Sequence, residues 1–315
     1  MKHYFKTATA ILIAASVFTA CKRDALESIT EQQTGPYASL QDFYNHNGAQ
    51  AQTFNFNTNQ DFILTGSMNT SVFIPANSLT DSAGNHPAGN VTATLKEIYN
   101  IKDMILSKVS TTSNGSLLQS GGMFYLTFTS GTVNYYSGIS MSVSLPQVPT
   151  DSSPFMNVFY GTLNDTTGVY WVVADSSYFT MNPAPNPTSY YFGAIDSLGY
   201  GWINCDKFYN TTPLTDLSIN AEVTGERGES VALESWLAFP SINSCMNVYD
   251  VLQASAIAHN IPVGMQAVAV VIGVGRVTKK PYFGITSFTV TAGQPVHVSV
   301  VQTDDAHIIS TLQSL

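Results

Sequence analysis

Cysteine, histidine and paired carboxylates are the side chains best suited to covalent or metal chemistry, and this chain of 315 residues uses them sparingly. There are three cysteines. Cys21 follows Phe18-Thr19-Ala20, so small residues stand immediately before a thiol at the end of an apolar run. That is where an exported lipoprotein is modified on sulfur and then cleaved, and Cys21 is expected to carry the lipid. Cys205 and Cys245 are the other two. In an oxidising compartment they have two alternatives, a disulfide or two separate buried thiols, and spacing alone does not choose between them.

The histidines carry no metal signature. His46, His86, His259, His297 and His307 form neither His-x-His nor HExxH. His297 falls on the polar face of an alternating run and is expected to be solvated. Asp81-Ser82-Ala83-Gly84-Asn85 has the look of a calcium loop but lacks the later bidentate glutamate, so it reads as a turn. Gly273-Val274-Gly275 is not followed by Gly-Lys-Ser/Thr, and no Gly-x-Ser-x-Gly elbow occurs. No cofactor is expected. Trp171, Trp202 and Trp236, with Tyr135-Tyr136 and Tyr190-Tyr191, have two readings: a stacking platform for sugar rings, or core filling. Core filling is the preferred one. Trp202 is expected to be buried where the central and C-terminal parts join, with Asn204 and Asp206 bonding nearby backbone.

The elements that must position these residues are strands. Ile139 to Leu145 alternates apolar and polar. Phe124, Leu126 and Phe128 lie on one face of another run, and Val296-His297-Val298-Ser299-Val300 repeats the pattern. Val268 to Ile272 is continuously apolar, as in a strand buried on both faces. Turn formers separate these runs, among them Ser113-Asn114-Gly115 and Thr291-Ala292-Gly293. Helical signals are confined to Asn100–Ser107 and to the end of the chain, where Thr303 is the expected N-cap of a helix carrying Ile308, Ile309 and Leu312. Met246 to Ala258 is ambiguous. The expected class is all-β: two or three β-sandwich-type domains behind a lipoprotein signal peptide, with a short C-terminal helix.

Five segments follow. Residues 1–20 are the signal peptide, with Lys2, His3 and Lys6 ahead of an apolar run from Ala8 to Ala20. That run falls short of the ~18 residues a membrane helix needs. Residues 21–52 are polar and read as a tether. Residues 53–150 form a first sandwich, 151–210 a β-rich central segment, and 211–315 a C-terminal sandwich plus helix. Pro/Ser and Thr/Pro stretches near 150 and 211 mark the joins. Losing Lys2 and Lys6 with the signal peptide takes the formal charge from −9 to −11. Scattered negative charge argues against nucleic acid, which needs clustered Lys and Arg.

Val72-Phe73-Ile74-Pro75-Ala76-Asn77-Ser78-Leu79, followed by Gly89 to Ile98, Thr111 to Leu118 and Ser120-Gly121-Gly122-Met123, resembles a ZU5-like β-sandwich module of Bacteroidota lipoproteins. Gly201-Trp202-Ile203-Asn204-Cys205-Asp206 is similar to a further block in the same proteins, so the resemblance covers roughly residues 54–208. Ile261 onward is weakly similar to transthyretin-like modules. Asn69 departs from the family's usual glycine, and the His-Phe-Ser step at which some such proteins cut themselves is missing. The resemblance implies an envelope address and a fold, not an activity. Asp81-Ser82-Ala83, Asp165-Thr166-Thr167 and Asp196-Ser197-Leu198 resemble O-glycosylation acceptors of the same bacteria, which would place sugar on Ser82, Thr166 or Ser197.

The expected protein is a non-enzymatic binding or scaffold module. It is held at the cell envelope, in the outer membrane, by lipid on Cys21, with an unknown protein or glycan as partner. Whether it faces the periplasm or the surface stays open. The competing reading is an envelope hydrolase, or its accessory subunit, whose carboxylates converge only in the fold.

Overall fold

The computed structural model describes residues 35–144, 155–164, 168–182, 190–195, 201–225, 227–248, 250–252 and 255–315. The fold is all-β, with about 57% of residues in strands and 11% in helices. In chain order come α1 (Leu40–Asn47), β1 (Gln52–Asn57), β2 (Phe62–Thr65), β3 (Ser71–Ile74), β4 (Asn90–Ile98), α2 (Ile101–Leu106), β5 (Thr112–Ser113) and β6 (Ser116–Ser130). β7 (Val133–Tyr135), β8 (Ile139–Ser144), β9 (Phe155–Asn164), β10 (Gly168–Asn182), β11 (Tyr190–Ile195) and β12 (Gly201–Phe208) complete a twelve-stranded sheet. β13 (Leu214–Thr224), β14 (Val231–Phe239), β15 (Ser244–Val248), β16 (Asp250–Leu252), β17 (Ser255–Pro262), β18 (Gln266–Gly275), β19 (Pro281–Thr289) and β20 (Val296–Gln302) form an eight-stranded one. α3 (Asp305–Gln313) ends the chain.

The first sheet runs β1-β4-β6-β12-β9-β10-β11-β8-β3-β2, with β5 and β7 hung on β6. It therefore continues across the join expected near residue 150. Alternation sets its facing: Phe124, Leu126 and Phe128 of β6 are fully buried beside Val91, Ala93 and Leu95 of β4. The sheet bends over this core so that its two edge strands meet, and the rings of Phe56 and Phe62 stack at 4.4 Å.

The second sheet runs β15-β14-β18-β19-β20-β13-β17-β16, with one parallel pair, β13 and β20. It curls nearly into a barrel around Leu237, Phe239, Ile219, Val271, Val298 and Val300. Its outer face is buried as well, because Trp236, Val270 and Ile272 pack against the helices and the first sheet. Both faces of β18 are thus covered, as its unbroken apolar sequence requires.

Two expectations need correction here, and one open stretch is resolved. Residues 40–52, expected in the tether, are folded: α1 starts at the N-cap Ser39, whose side chain accepts from the Asp42 N–H, and it buries Phe43 and Tyr44 in the shared core. Leu40, Phe43 and Tyr44 have the i, i+3, i+4 spacing of a helix, but one such set in a polar stretch is too short a signal to mark it. The C-terminal helix is capped by Asp304, whose carboxylate accepts from the His307 N–H at 2.8 Å, and not by Thr303. The ambiguous stretch Met246–Ala258 is strand wherever it is described. α2 begins where expected, with the Asn100 side chain accepting from the Asp103 N–H. Among the described residues no helix is long and apolar enough to cross a membrane.

Candidate functional site

A single row of directly opposed residues crosses five strands of the first sheet. Lys96 on β4 faces Tyr125 on β6, Tyr125 faces Trp202 on β12, Trp202 faces Gly161 on β9, and Gly161 faces Trp171 on β10. Because opposed residues share a face, all five side-chain positions point the same way. The row starts in solvent and ends in the core: Lys96, Tyr125 and Trp202 are partly exposed, and Trp171 is fully buried.

Gly161 makes this row fit. A Cβ there would sit 2.6 Å from the Trp202 Cβ and 2.8 Å from Trp171 Cζ3. Without it the two indoles meet edge to face. Tyr125 leans on Trp202 from the other side, with ring centroids 5.3 Å apart and planes at 58°. Gly201, with φ of 111°, leaves the backbone beside Tyr125 bare.

The three tryptophans differ in their polar handles. Trp171 donates to the Ser110 carbonyl at 2.7 Å, and Trp236 donates to the Tyr44 hydroxyl at 3.3 Å. Both are fully buried. Trp202 keeps solvent access on its ring, while its N–H is closed off and has no acceptor. An unmade hydrogen bond of this kind costs about 1–3 kcal/mol. The expectation that Trp202 is a buried corner residue is therefore corrected. It packs against the shared core but forms part of an open wall.

Two hollows flank the aromatic pair. One, of about 360 Å³, runs between Trp202 and Lys96 on the sheet and Tyr44, Leu106 and Lys108 on the helical side. The other, of about 170 Å³, lies between Tyr125, Thr127, Tyr135 and Tyr136. The tertiary fold therefore gathers Trp202, Tyr135 and Tyr136 of the sugar-platform alternative around Tyr125. It sends Trp171 and Trp236 to the core. The side chains of Tyr190 and Tyr191 lie outside the described residues.

Lys108 is held in place at the first hollow. It follows the end of α2 in a left-handed conformation, φ 57°, and places Nζ 5.3 Å above the Tyr44 ring and 3.4 Å from the Glu234 carboxylate. Burial pushes the Tyr44 hydroxyl well above its ordinary range, with Glu234 adding to it, so that hydroxyl stays neutral.

Further along β12, on the same face as Trp202, Asn204 and Asp206 project into the seam with the second sheet. Both are fully buried, and Asn204 Nδ2 donates to Asp206 Oδ2 at 2.6 Å. Burial drives the Asp206 carboxyl up to about 8, against the opposing effect of Ser120, Asn204 and the Gly121 N–H. Asn243, in a left-handed turn, closes the seam by donating to the Tyr99 and Ser120 carbonyls. This carboxylic acid is sealed from solvent and stands in no cleft.

The remaining residues singled out in the sequence fall elsewhere. Cys205 and Cys245 are free buried thiols, so the disulfide alternative does not hold: Cys205 lies in the core of the first sheet and Cys245 in the core shared with the helices. Burial, then the nearby Asp206, raises both thiols above their ordinary range. Ser82 is exposed at the tip of a turn in which the Asp81 carboxylate accepts from the Ala83 and Asn85 N–H groups. Cys21, Thr166 and Ser197 lie outside the described residues. His297 is exposed and pairs with Glu222 at 2.7 Å. Among the described residues, no three of His, Cys, Asp and Glu stand close enough together to share a metal ion.

A further hollow of about 450 Å³ lies at the far end of β12, between Asn114, Tyr209, Thr211 and Asn260. Its walls mix amides and hydroxyls with Tyr209, Leu117, Leu214 and Pro262, and carry no acid or base. Lys96, Tyr125, Lys108 and Gly161 were not singled out in the sequence. Alternation around Phe124 and Leu126 puts Tyr125 outward, but nothing local says that Trp202 stands beside it. Compared with known proteins, the chain matches no family model, no curated protein and no solved structure.

Proposed function

We propose that this protein is exported, held at the cell envelope by lipid on Cys21, and binds a glycan across the Trp202–Tyr125 face. The observation that carries the reading is the aromatic row with a hollow on each side. Aromatic faces complement the apolar faces of sugar rings, and the ring edges supply few competing polar groups. Trp202 is the tryptophan left partly open; Gln41 and Asn45 share its hollow and Thr127 lines the one beside Tyr125, offering the amide and hydroxyl groups that pair with sugar hydroxyls. The envelope address rests on the Phe18-Thr19-Ala20-Cys21 sequence. The ZU5-like resemblance of residues 54–208 agrees with such an address.

The test is tryptophan emission during titration with manno-, cello- and chito-oligosaccharides and with oligogalacturonates. A saturable change is expected, because Trp202 reports from the site while Trp171 and Trp236 supply a constant buried background. Trp202→Ala, checked for folding by thermal melting, is expected to abolish it. No response to any of these sugars, or an unchanged response in a folded Trp202→Ala protein, overturns the reading.

A further inference from the structure

We infer that the ligand of the Trp202 face is an acidic saccharide whose carboxylate lies between Lys96 and Lys108. This rests on the reading of that face as a glycan site and adds its charge. The chain has 12 Lys and Arg against 21 Asp and Glu. In so acidic a protein the general field repels an anionic ligand, so an anion site requires a local concentration of cations. The 360 Å³ hollow has one. Lys96 and Lys108 both line it, from the sheet and the helical side, and no carboxylate does.

The two lysines are placed differently. Lys96 stands directly opposite Tyr125, at the solvent end of the row that contains Trp202. Lys108 is preorganised by its left-handed backbone, the Tyr44 ring and Glu234. Its ammonium group has three N–H donors, and its side chain is 35% exposed, so the Glu234 contact leaves donors for a ligand. A sugar ring resting on the Trp202 face would then have a cation on either side of the hollow. Gln41 and Asn45 of α1 and Gln50 line the same space, and their amides suit ring hydroxyls. A hollow of this size is at the small end of ligand pockets, roughly 300 Å³ upward, and fits a short saccharide rather than a folded protein.

The experiment compares oligogalacturonate with manno-oligosaccharide of equal length, by calorimetry at low and high NaCl. The acidic sugar should bind about tenfold more tightly at low salt, and most of that advantage should vanish at high salt. Lys96→Gln should remove most of the preference, weakening the acidic sugar far more than the mannoside, and Lys108→Gln should act in the same direction. Trp202→Phe should weaken both sugars and keep their ratio. Inorganic phosphate is the control: competition by phosphate as effective as that by galacturonate would show a general anion site and overturn the uronate assignment. Equal affinity for the two sugars, or salt-independent binding, overturns the charge assignment while the glycan reading stands. Binding of neither sugar removes both.

Discussion

The indole rings of Trp171 and Trp202 meet edge to face, 6.4 Å apart and at 89° to one another, across the bare backbone of Gly161. One ring is core and the other borders solvent, so the contact couples the packing of the sheet to the proposed site. Gly161→Ala places a methyl 2.4 Å from Val169 Cγ1 and 2.6 Å from Trp202 Cβ. Overpacking of this kind costs about 1–3 kcal/mol. Denaturant melts should show that loss, together with a red shift of tryptophan emission as Trp202 is pushed outward. A variant as stable as the parent, with unchanged emission, would mean that the two indoles do not depend on this glycine.

Phe124 fills the core of the first sheet and meets the Tyr99 ring edge to face at 5.4 Å. Phe124→Ala is expected to cost about 3–5 kcal/mol, the range for emptying a buried aromatic site. Urea unfolding measures it, and a loss below about 1 kcal/mol would show that the strand faces the other way.

Glu97 is a buried carboxylate that organises a loop. It accepts from Gln52 Nε2 at 2.8 Å, from the Met68 and Thr70 N–H groups at 3.0 Å, and from Ser67 Oγ at 3.4 Å. Gly66 lies so close that a Cβ would stand 2.4 Å from the carboxylate. Removing the acceptor leaves the loop N–H groups unpaired, so Glu97→Ala should cost about 3 kcal/mol. Hydrogen exchange should speed up at Met68 and Thr70 more than in the neighbouring strands β3 and β4. Unchanged protection at those two amides would show that other groups hold the loop.

Asp206 ties stability to pH. Its carboxyl rises from 3.8 to about 8 on folding because burial disfavours the charge. Between these values the folded protein holds a proton that the unfolded chain has released. Stability contributed by this group is therefore full below pH 3.8, declines as pH rises, and levels off above about 8. Each pH unit within that window costs up to about 1.4 kcal/mol. Asp206→Asn removes the titration, so its stability should be flatter with pH and should exceed that of the parent near pH 8. Parallel curves for the two proteins would show that Asp206 is ionised in the folded state.

Cys21→Ala should release the protein from membranes, since the proposed anchor is the lipid on that thiol. Fractionation of the native host reads this directly. A variant still extracted only by detergent would be held by some other means.

The sequence by itself determined the strands, their facing and several local devices. Period-two alternation is a local property of the pleat, so Phe124, Leu126 and Phe128 face inward and His297 outward as read. The Asn100 cap and the Asp81 turn are likewise short-range, because a side chain there bonds backbone two to four residues away. Only the tertiary structure decided which strands lie side by side. Lys96, Tyr125, Trp202, Gly161 and Trp171 come from five strands between Asn90 and Phe208, and their alignment depends on register between distant segments. The same non-local pairing puts Cys205 and Cys245 in separate cores, docks α1 on the helical side, and leaves Trp202 partly open where its glycine-flanked sequence reads as buried. Pairing distant strands means closing long loops, and the contacts that repay that closure exist only once the sheet is assembled.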